Sequence, residues 1–189
     1  MKILPFALAS LSAALVASCA STPPSSTSAP ASPAPQSTAQ SAVVNLASAS
    51  GSLVSGKLAV MPMGDGVHVT GEIGGLPPNS VHGFHIHEKG DCSAVDASSA
   101  GGHFNPAGSP HGKAEAGAHH AGDADNLVAD AQGVAKVDRH FGGVTLGGGA
   151  ANDVAGKAVI VHASPDDYKS QPAGNAGARL ACGVIKIAQ

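Results

Sequence analysis

The chain has 189 residues, with 10 Lys and Arg against 13 Asp and Glu, and a formal net charge of −3. This length suits one ordinary domain, and the acidic balance does not favour nucleic acid as a partner. Aromatic residues make up only 3% and Trp is absent. The core must therefore be built from Val, Ile, Leu and Ala.

The first eighteen residues have the pattern of a secretory signal: Lys2, an apolar run over residues 3–16, and small residues before Cys19. Residues 16–19 (VASC) resemble the bacterial lipobox, in which the cysteine is lipidated and becomes the first mature residue. An ordinary signal followed by a chance cysteine is the alternative. Lipidation at Cys19 predicts a periplasmic protein held on a membrane by its acyl chains. Ala20 offers no inner-membrane retention signal, which favours the outer membrane.

Residues 19–42 form the predicted tether. After Cys19 they are mostly Ser, Thr, Pro, Ala and Gln, and they carry no charge. Such a composition cannot bury enough apolar surface to fold, so we expect a disordered spacer. The folded domain is predicted to span residues 43–189. Without residues 1–18, which contain Lys2, the mature chain has 9 basic and 13 acidic residues and a net charge of about −4.

From residue 43 the sequence changes to short apolar runs broken by Gly, Asn and Pro, among them residues 53–54 and 58–60. Gly64, Asp65 and Gly66 then predict a hairpin turn. Residues 67–73 alternate apolar and polar side chains, which predicts a half-buried strand. His68 falls on the polar face of this strand, so we interpret it as a solvated surface residue.

The next predicted strand, over residues 81–88, presents two histidines. A period of two places His85 and His87 on one face, and Phe84 and Ile86 on the other. Two imidazoles that project side by side can bind one metal ion. His82 shares the phase of Phe84 and Ile86, so we expect it to be a packed, structural residue.

Two long loops separate the remaining strands. Residues 89–125 have almost no hydrophobic periodicity, and a loop of this length in a compact domain is usually functional or disordered. Strands are predicted at 126–130, 134–141, 157–163 and 182–188, with a glycine-rich crossing at 142–149 and a second loop at 164–179. His140 is predicted at the surface. About eight short strands without a helix indicate an all-β sandwich or barrel.

The loop and the strands together contain donors for two metal ions. His103, His111, His120 and Asp123 offer three nitrogens and a carboxylate, a closed set that suits zinc. Three further imidazoles, of His85, His87 and His162, suit copper. If His103 is shared, copper has four nitrogens and zinc keeps four ligands. His119 lies beside His120 but outside this set.

Cys92 and Cys182 are the remaining cysteines once Cys19 is assigned to the lipobox. Two cysteines in an exported protein predict a disulfide.

Several segments resemble the bacterial copper/zinc superoxide dismutases: GFHIHEKGDC (83–92), SAGGHFNP (99–106), HAGD (120–123), VIVH (159–162) and GNAGARLACGVI (174–185). The resemblance extends from about residue 43 to the C-terminus. It implies an eight-stranded Greek-key β-barrel with two functional loops, binding one copper and one zinc per subunit. It implies copper on His85, His87, His103 and His162, and zinc on His103, His111, His120 and Asp123.

The resemblance also assigns roles around the two metals. His103 becomes the bridging, catalytic imidazolate, and Asp166 hydrogen-bonds His85 and His111 from outside. Arg179 attracts the superoxide anion beside the copper. The Cys92–Cys182 bridge would fasten the ligand-bearing loop. Ala173 stands where many members have Ser or Thr, so a channel hydroxyl is missing.

The implied activity is dismutation of superoxide to dioxygen and hydrogen peroxide, which would protect the cell envelope. Lys89 and Lys113 are weak candidates for steering the anion. A homodimer is one option, since the sequence does not fix the subunit number. The alternatives are a non-catalytic copper or zinc carrier on the same fold, or a surface adhesion lipoprotein. The second of these explains none of the histidines.

Overall fold

The structure, a computed structural model, describes residues 34–114 and 116–188. The predicted signal and Cys19 lie outside this part of the chain. The described residues form ten strand segments: β1 Ala42–Ser48, β2 Ser55–Met63, β3 Gly66–Gly74, β4 Val81–His82, β5 Phe84–His87, β6 Leu127–Val128, β7 Ala135–Gly142, β8 Ala158–His162, β9 Arg179–Val184 and β10 Lys186–Ile187. These residues include no apolar helix of membrane-spanning length.

The strands form one curled antiparallel sheet in the order β5-β8-β9-β1-β2-β3-β7, with β10 beside β1 and a small β4-β6 pair. β4 runs into β5 across Gly83, and β10 follows β9 after one residue, so the ten segments correspond to eight strands. The Ala129–Ala135 bridge joins the end of β6 to the start of β7, and β6 pairs with β4. The sheet therefore continues from β7 to β4. The predicted eight-stranded all-β Greek-key fold is confirmed.

Alternating residues fill the interior of the barrel. Val67, Val69 and Ile73 of β3 are fully buried, as their spacing predicts, while His68 between them is part-exposed. The β2–β3 hairpin closes through Gly64 and Asp65, with Gly64 at a φ of 61°. The described loop residues contain only one short 3-10 turn, Ser98–Ala100. The interior of the barrel is therefore apolar, whereas its long loops must be held by contacts other than a hydrogen-bonded ladder.

The folded part begins before the predicted boundary at residue 43. The backbone N–H groups of Thr38 and Ala39 both donate to the carbonyl of Leu146, at 3.0 Å, and Leu146 N–H donates to Ser37 Oγ. Composition could not predict this contact, because the partner is the glycine-rich crossing more than one hundred residues away. The described end of the predicted tether is thus packed on the barrel.

Candidate metal centre

Strand register brings the first three histidines together. His85 lies opposite Ile160 and His87 opposite Ala158, so β5 runs beside β8, which ends at His162. On its other side, His87 forms an isolated antiparallel bridge with His103. The long loop thus returns to the edge of β5 and places a fourth imidazole beside the strand.

These four residues form the four-histidine cluster, which consists of His85, His87, His103 and His162. Each ring offers one nitrogen, and the four nitrogens lie within 4.8 Å of one another. All four side chains are buried. Since an all-imidazole set suits copper, the donors fit the metal that the sequence predicts here.

The His₃Asp cluster consists of His103, His111, His120 and Asp123, whose donor atoms also lie within 4.8 Å of one another. Asp123 Oδ1 is 2.7 Å from His103 Nδ1 and 3.3 Å from His120 Nδ1, and Oδ2 is 3.0 Å from His111 Nδ1. Three imidazoles and a carboxylate around one point are a zinc-type donor set. His119 is outside it, because its Nδ1 contacts the carbonyl of His120 at 2.7 Å.

His103 belongs to both clusters. Its ring centroid lies 4.0 Å from that of His85 and 5.4 Å from that of His120. Nδ1 faces Asp123, whereas Nε2 is buried without a hydrogen-bond partner in the described chain. The two nitrogens of one ring therefore face two different groups of donors.

Several inward-facing nitrogens share this lack of a partner. Within the described residues, no hydrogen bond reaches the buried Nδ1 atoms of His85, His111 and His120. Leaving a buried polar atom unpaired is costly, so a cluster of such atoms requires an explanation. A metal ion on each cluster would satisfy these lone pairs.

The ring nitrogens that face away from the two clusters make hydrogen bonds to surrounding residues. Asp166 accepts from His85 Nε2 at 2.8 Å and from His111 Nε2 at 3.0 Å, so one buried carboxylate joins the two clusters. Asn126 in turn holds the backbone of Asp166 with two hydrogen bonds, of 2.8 and 2.9 Å. His87 Nδ1 donates to the carbonyl of Gly101 at 2.9 Å. Such contacts fix the ring orientation and leave the inward nitrogen free to bind metal.

Two further supports were not predicted from the sequence. The Gln171 side chain accepts a hydrogen bond from His111 N–H at 2.9 Å and donates to His111 C=O at 2.8 Å. His82 is buried as expected, and its Nδ1 contacts the carbonyl of His162 at 2.7 Å. Both interactions join distant segments through the backbone, so no motif or periodicity could have indicated them.

Burial controls the charge of the ligand-type side chains. Burial, reinforced by repulsion from His103, holds the pKa values of His85 and His87 well below 6.5. Burial likewise lowers the pKa of His162 to about 4. Burial opposes ionisation of Asp123, yet hydrogen bonds from His103 and from His120 N–H keep its pKa well below 3.8. Neutral imidazoles and an ionised carboxylate are the forms that bind metal.

Arg179 lies beside the four-histidine cluster because it is the register partner of His162 across β8 and β9. The sequence predicted that Arg179 ends the preceding loop and that the last strand begins at Cys182; this was wrong, because β9 already begins at Arg179. Its guanidinium donates to the carbonyls of Ala97 at 2.7 Å and Gly101 at 2.6 Å.

An open cleft leads to this part of the site. It has a volume of about 470 Å³, and its walls include His87, His103, His162, Ala173 and Arg179. Arg179 is the only Lys, Arg, Asp or Glu among its described lining residues, and Ala173 contributes no hydroxyl. Lys89 and Lys113 are not in the lining, and Lys113 Nζ lies over the Tyr168 ring at 5.6 Å.

The predicted disulfide is confirmed: Cys92 is bonded to Cys182, with 5.7 Å between the Cα atoms. Cys92 lies in the long loop just after β5, and Cys182 lies in β9, three residues beyond Arg179. The bond therefore ties the loop that accepts the Arg179 hydrogen bonds to the strand that carries Arg179.

The fold and the two joined clusters define an all-β metalloprotein that can hold two ions around one shared imidazole. Comparison with known proteins then identifies the family. Residues 54–185 match the family model described as copper/zinc superoxide dismutase (SODC). The chain belongs to the copper/zinc superoxide dismutase family, which makes it a superoxide-dismutating oxidoreductase with copper and zinc as cofactors.

Similar proteins agree with this assignment. The chain is 45% identical over 136 residues to a copper/zinc superoxide dismutase of Aquifex aeolicus, covering 70% of this chain and 80% of the relative. It is 42% identical over 136 residues to that of Caulobacter vibrioides, covering 69% and 78%. Among solved structures, a SOD-like protein from Bacillus subtilis matches with a TM-score of 0.69 and 37% identity, over 76% of this chain and 97% of that one. The clock protein EA4 matches with a TM-score of 0.71 and 37% identity, over 80% and 97%.

Proposed function

We propose that the four-histidine cluster holds copper and the His₃Asp cluster holds zinc, with His103 bridging them. The observation that carries this assignment is a set of buried ring nitrogens, of His85, His103, His111 and His120, that make no hydrogen bond within the described residues. The opposite nitrogens of His85 and His111 are already occupied by Asp166. The donor chemistry supports copper on the all-imidazole side and zinc on the side with the carboxylate.

In the reaction, two superoxide anions and two protons give dioxygen and hydrogen peroxide. Copper, when bound, supplies the one-electron exchange, because zinc has no redox chemistry. His103 is the residue that can bind and release a proton at the four-histidine cluster. Its Nδ1 is fixed against Asp123, while its Nε2 faces that cluster. We propose that Nε2 carries one proton during the cycle and gives it to the departing peroxide, which takes its second proton from solvent.

Arg179 supplies the positive charge that attracts the substrate. The protein is net negative, so the average field repels an anion. The Arg179 hydrogen bonds to Ala97 and Gly101 fix its guanidinium at the cleft. A fixed planar cation can both attract and hydrogen-bond a small anion.

The test is superoxide-dependent activity of the copper- and zinc-loaded protein as a function of ionic strength. Arg179→Ala should lower kcat/KM about tenfold and flatten its salt dependence, while both metals stay bound. The matched control is Arg139→Ala, because Arg139 also donates to backbone carbonyls, those of Asp125 and Asn126, but does not line the cleft. Equal activity and equal salt dependence in the Arg179 variant and the wild type would remove Arg179 from the mechanism.

We also propose that the protein works in the periplasm as a lipoprotein anchored through Cys19, with the outer membrane as the favoured site of anchoring. There it protects the cell envelope from superoxide. The Cys92–Cys182 disulfide supports an oxidising compartment. Membrane fractionation of cells that produce the full chain tests the anchor. The wild type should sediment with membranes, whereas Cys19→Ser should not. Finding the wild type and the variant in equal amounts in the soluble fraction would refute the anchor.

A homodimer is the proposed assembly. The observation that favours it is an exposed apolar pair, Val81 and Val128, which are register partners on the β4–β6 ribbon and are 37% and 63% exposed. Sedimentation at several concentrations should give a dimer mass that falls when Val128 is replaced by Lys. A constant monomer mass would refute this assembly.

A further inference from the structure

Two methionines and two histidines occupy the outer face of the barrel, on β2, β3 and β7. Met61 and Met63 are about half exposed and are two residues apart on β2. Across the sheet, Met61 is the register partner of His68, and His68 is the register partner of His140. Directly paired residues project to the same side of a sheet, and Met63 shares the phase of Met61, so both methionines and both histidines lie on one face.

His68 faces a sulfur on one side and a carboxylate on the other. Its Nε2 contacts Asp138 Oδ1 at 2.5 Å, and its Nδ1 lies 3.3 Å from Met63 Sδ. A thioether is only a weak hydrogen-bond acceptor, so this second contact adds little stability by itself. It does place a nitrogen and a sulfur donor side by side at the surface.

His140 repeats the arrangement on the adjacent strand. Its Nε2 contacts Asp65 Oδ1 at 2.9 Å, while its Nδ1 is buried without a partner among the described residues. The hydrogen bond with His140 lowers the pKa of Asp65 below 3.8, so this carboxylate is ionised. Both histidines therefore have a carboxylate on Nε2, as His85 and His111 have Asp166 in the buried centre. A carboxylate behind the ring is the usual support of a metal-binding histidine.

We propose that this face binds one soft monovalent metal ion, copper(I), through Met63 Sδ and His68 Nδ1, which lie 3.3 Å apart. Thioether sulfur selects copper(I) over the harder divalent ions. The exposed carboxylates of Asp65 and Asp138 add negative charge that favours a cation. This surface site is separate from the two buried clusters, since it shares no residue with them.

The experiment uses silver(I), a redox-inert ion of the same charge and softness, added to the fully copper- and zinc-loaded protein. Metal analysis after desalting should show one additional equivalent of silver with the original copper and zinc retained. Met63→Leu and His68→Gln should each weaken silver binding at least tenfold, as measured by competition with a soluble thioether. Met61→Leu is the matched control and should change the affinity less than threefold.

Methionine methyl NMR gives a second measurement that does not depend on activity. Silver should shift the Met63 methyl signal more than the Met61 signal in the wild type, and the Met63 shift in His68→Gln should require at least tenfold more silver. Superoxide-dependent activity should be the same in all four proteins. Three results would overturn the proposal: no additional equivalent of silver, equal binding by the Met63 and His68 variants and the wild type, or silver uptake that releases copper or zinc.

Discussion

The metal centre is built from two regions that are held in different ways. His85, His87 and His162 lie on β5 and β8, whose neighbours Phe84, Ile86 and Val161 are fully buried in the apolar core. His103, His111, His120 and Asp123 lie on a loop whose described part has only one short 3-10 turn. The loop depends on Asp166, on Gln171 and on the Cys92–Cys182 bond.

This difference indicates which half is formed without metal. Strand positions are fixed by hydrophobic burial and the hydrogen-bonded ladder, which do not require an ion. The loop residues surround a group of buried polar atoms, some of which make no hydrogen bond to the part of the chain that the structure describes. This arrangement is costly until a ligand satisfies them. We therefore expect the strand half to be preformed and the loop half to be completed by zinc.

The largest effect should follow removal of both metals. Amide hydrogen exchange of residues 101–123 should accelerate at least about a thousandfold, because an ion bound at a thousandfold excess over its Kd stabilises the bound form by about 4 kcal/mol. Exchange in β2 and β3 should change less than about tenfold. An equal change in the loop and in these strands would contradict the division of the site into two halves.

Loss of the disulfide should have the next largest effect. Replacing Cys92 and Cys182 by Ser should lower the free energy of unfolding by about 3 kcal/mol, since the bond spans 90 residues of sequence. Urea unfolding of the metal-loaded protein measures this change. The wild type under reducing conditions serves as a control and should lose a similar amount. A loss below about 0.5 kcal/mol would mean that other contacts hold the loop.

Gly174 permits the close approach of the second loop to Asp166. It has a φ of 64°, and a Cβ there would clash with Asp166 Oδ1 and lie 2.7 Å from His111 Nε2. Gly174→Ala should therefore cost about 2 kcal/mol and reduce zinc retention. Gly156→Ala is the matched control, because Gly156 has a φ of 76° and nothing within 4 Å of its added Cβ. Equal zinc retention in the two variants would show that the contact with Asp166 is unimportant.

The smallest effect should come from Gln171. Gln171→Ala removes two hydrogen bonds to the His111 backbone, which should cost about 1 kcal/mol and speed zinc release to a chelator about fivefold. Gln132→Ala provides a control on an exposed turn. If both variants release zinc at the wild-type rate, Gln171 does not position His111.

Sequence patterns predicted the strand half better than the loop half. Alternation placed His85 and His87 beside each other, and the burial of Val67, Val69 and Ile73 follows from the same period of two. The contacts of Gln171 with His111, and of Thr38 with Leu146, join segments 60 or more residues apart through backbone groups. Backbone partners leave no pattern of residue types, so these contacts required a structure.

The surface histidines show the same limit. The polar phase of β3 correctly predicted that His68 is outside the core. It did not reveal that Met63 and His140 come from neighbouring strands to the same face, because register is not visible in a single strand.

The central claim, that His103 joins two different ion sites, is tested most directly by metal analysis of three variants of the purified protein after loading with copper and zinc. His162→Ala should lose copper and keep zinc, and His120→Ala should lose zinc with less effect on copper binding. Only His103→Ala should weaken the binding of both metals. Loss of zinc alone from the His162 variant, or retention of both metals by the His103 variant, would contradict the account.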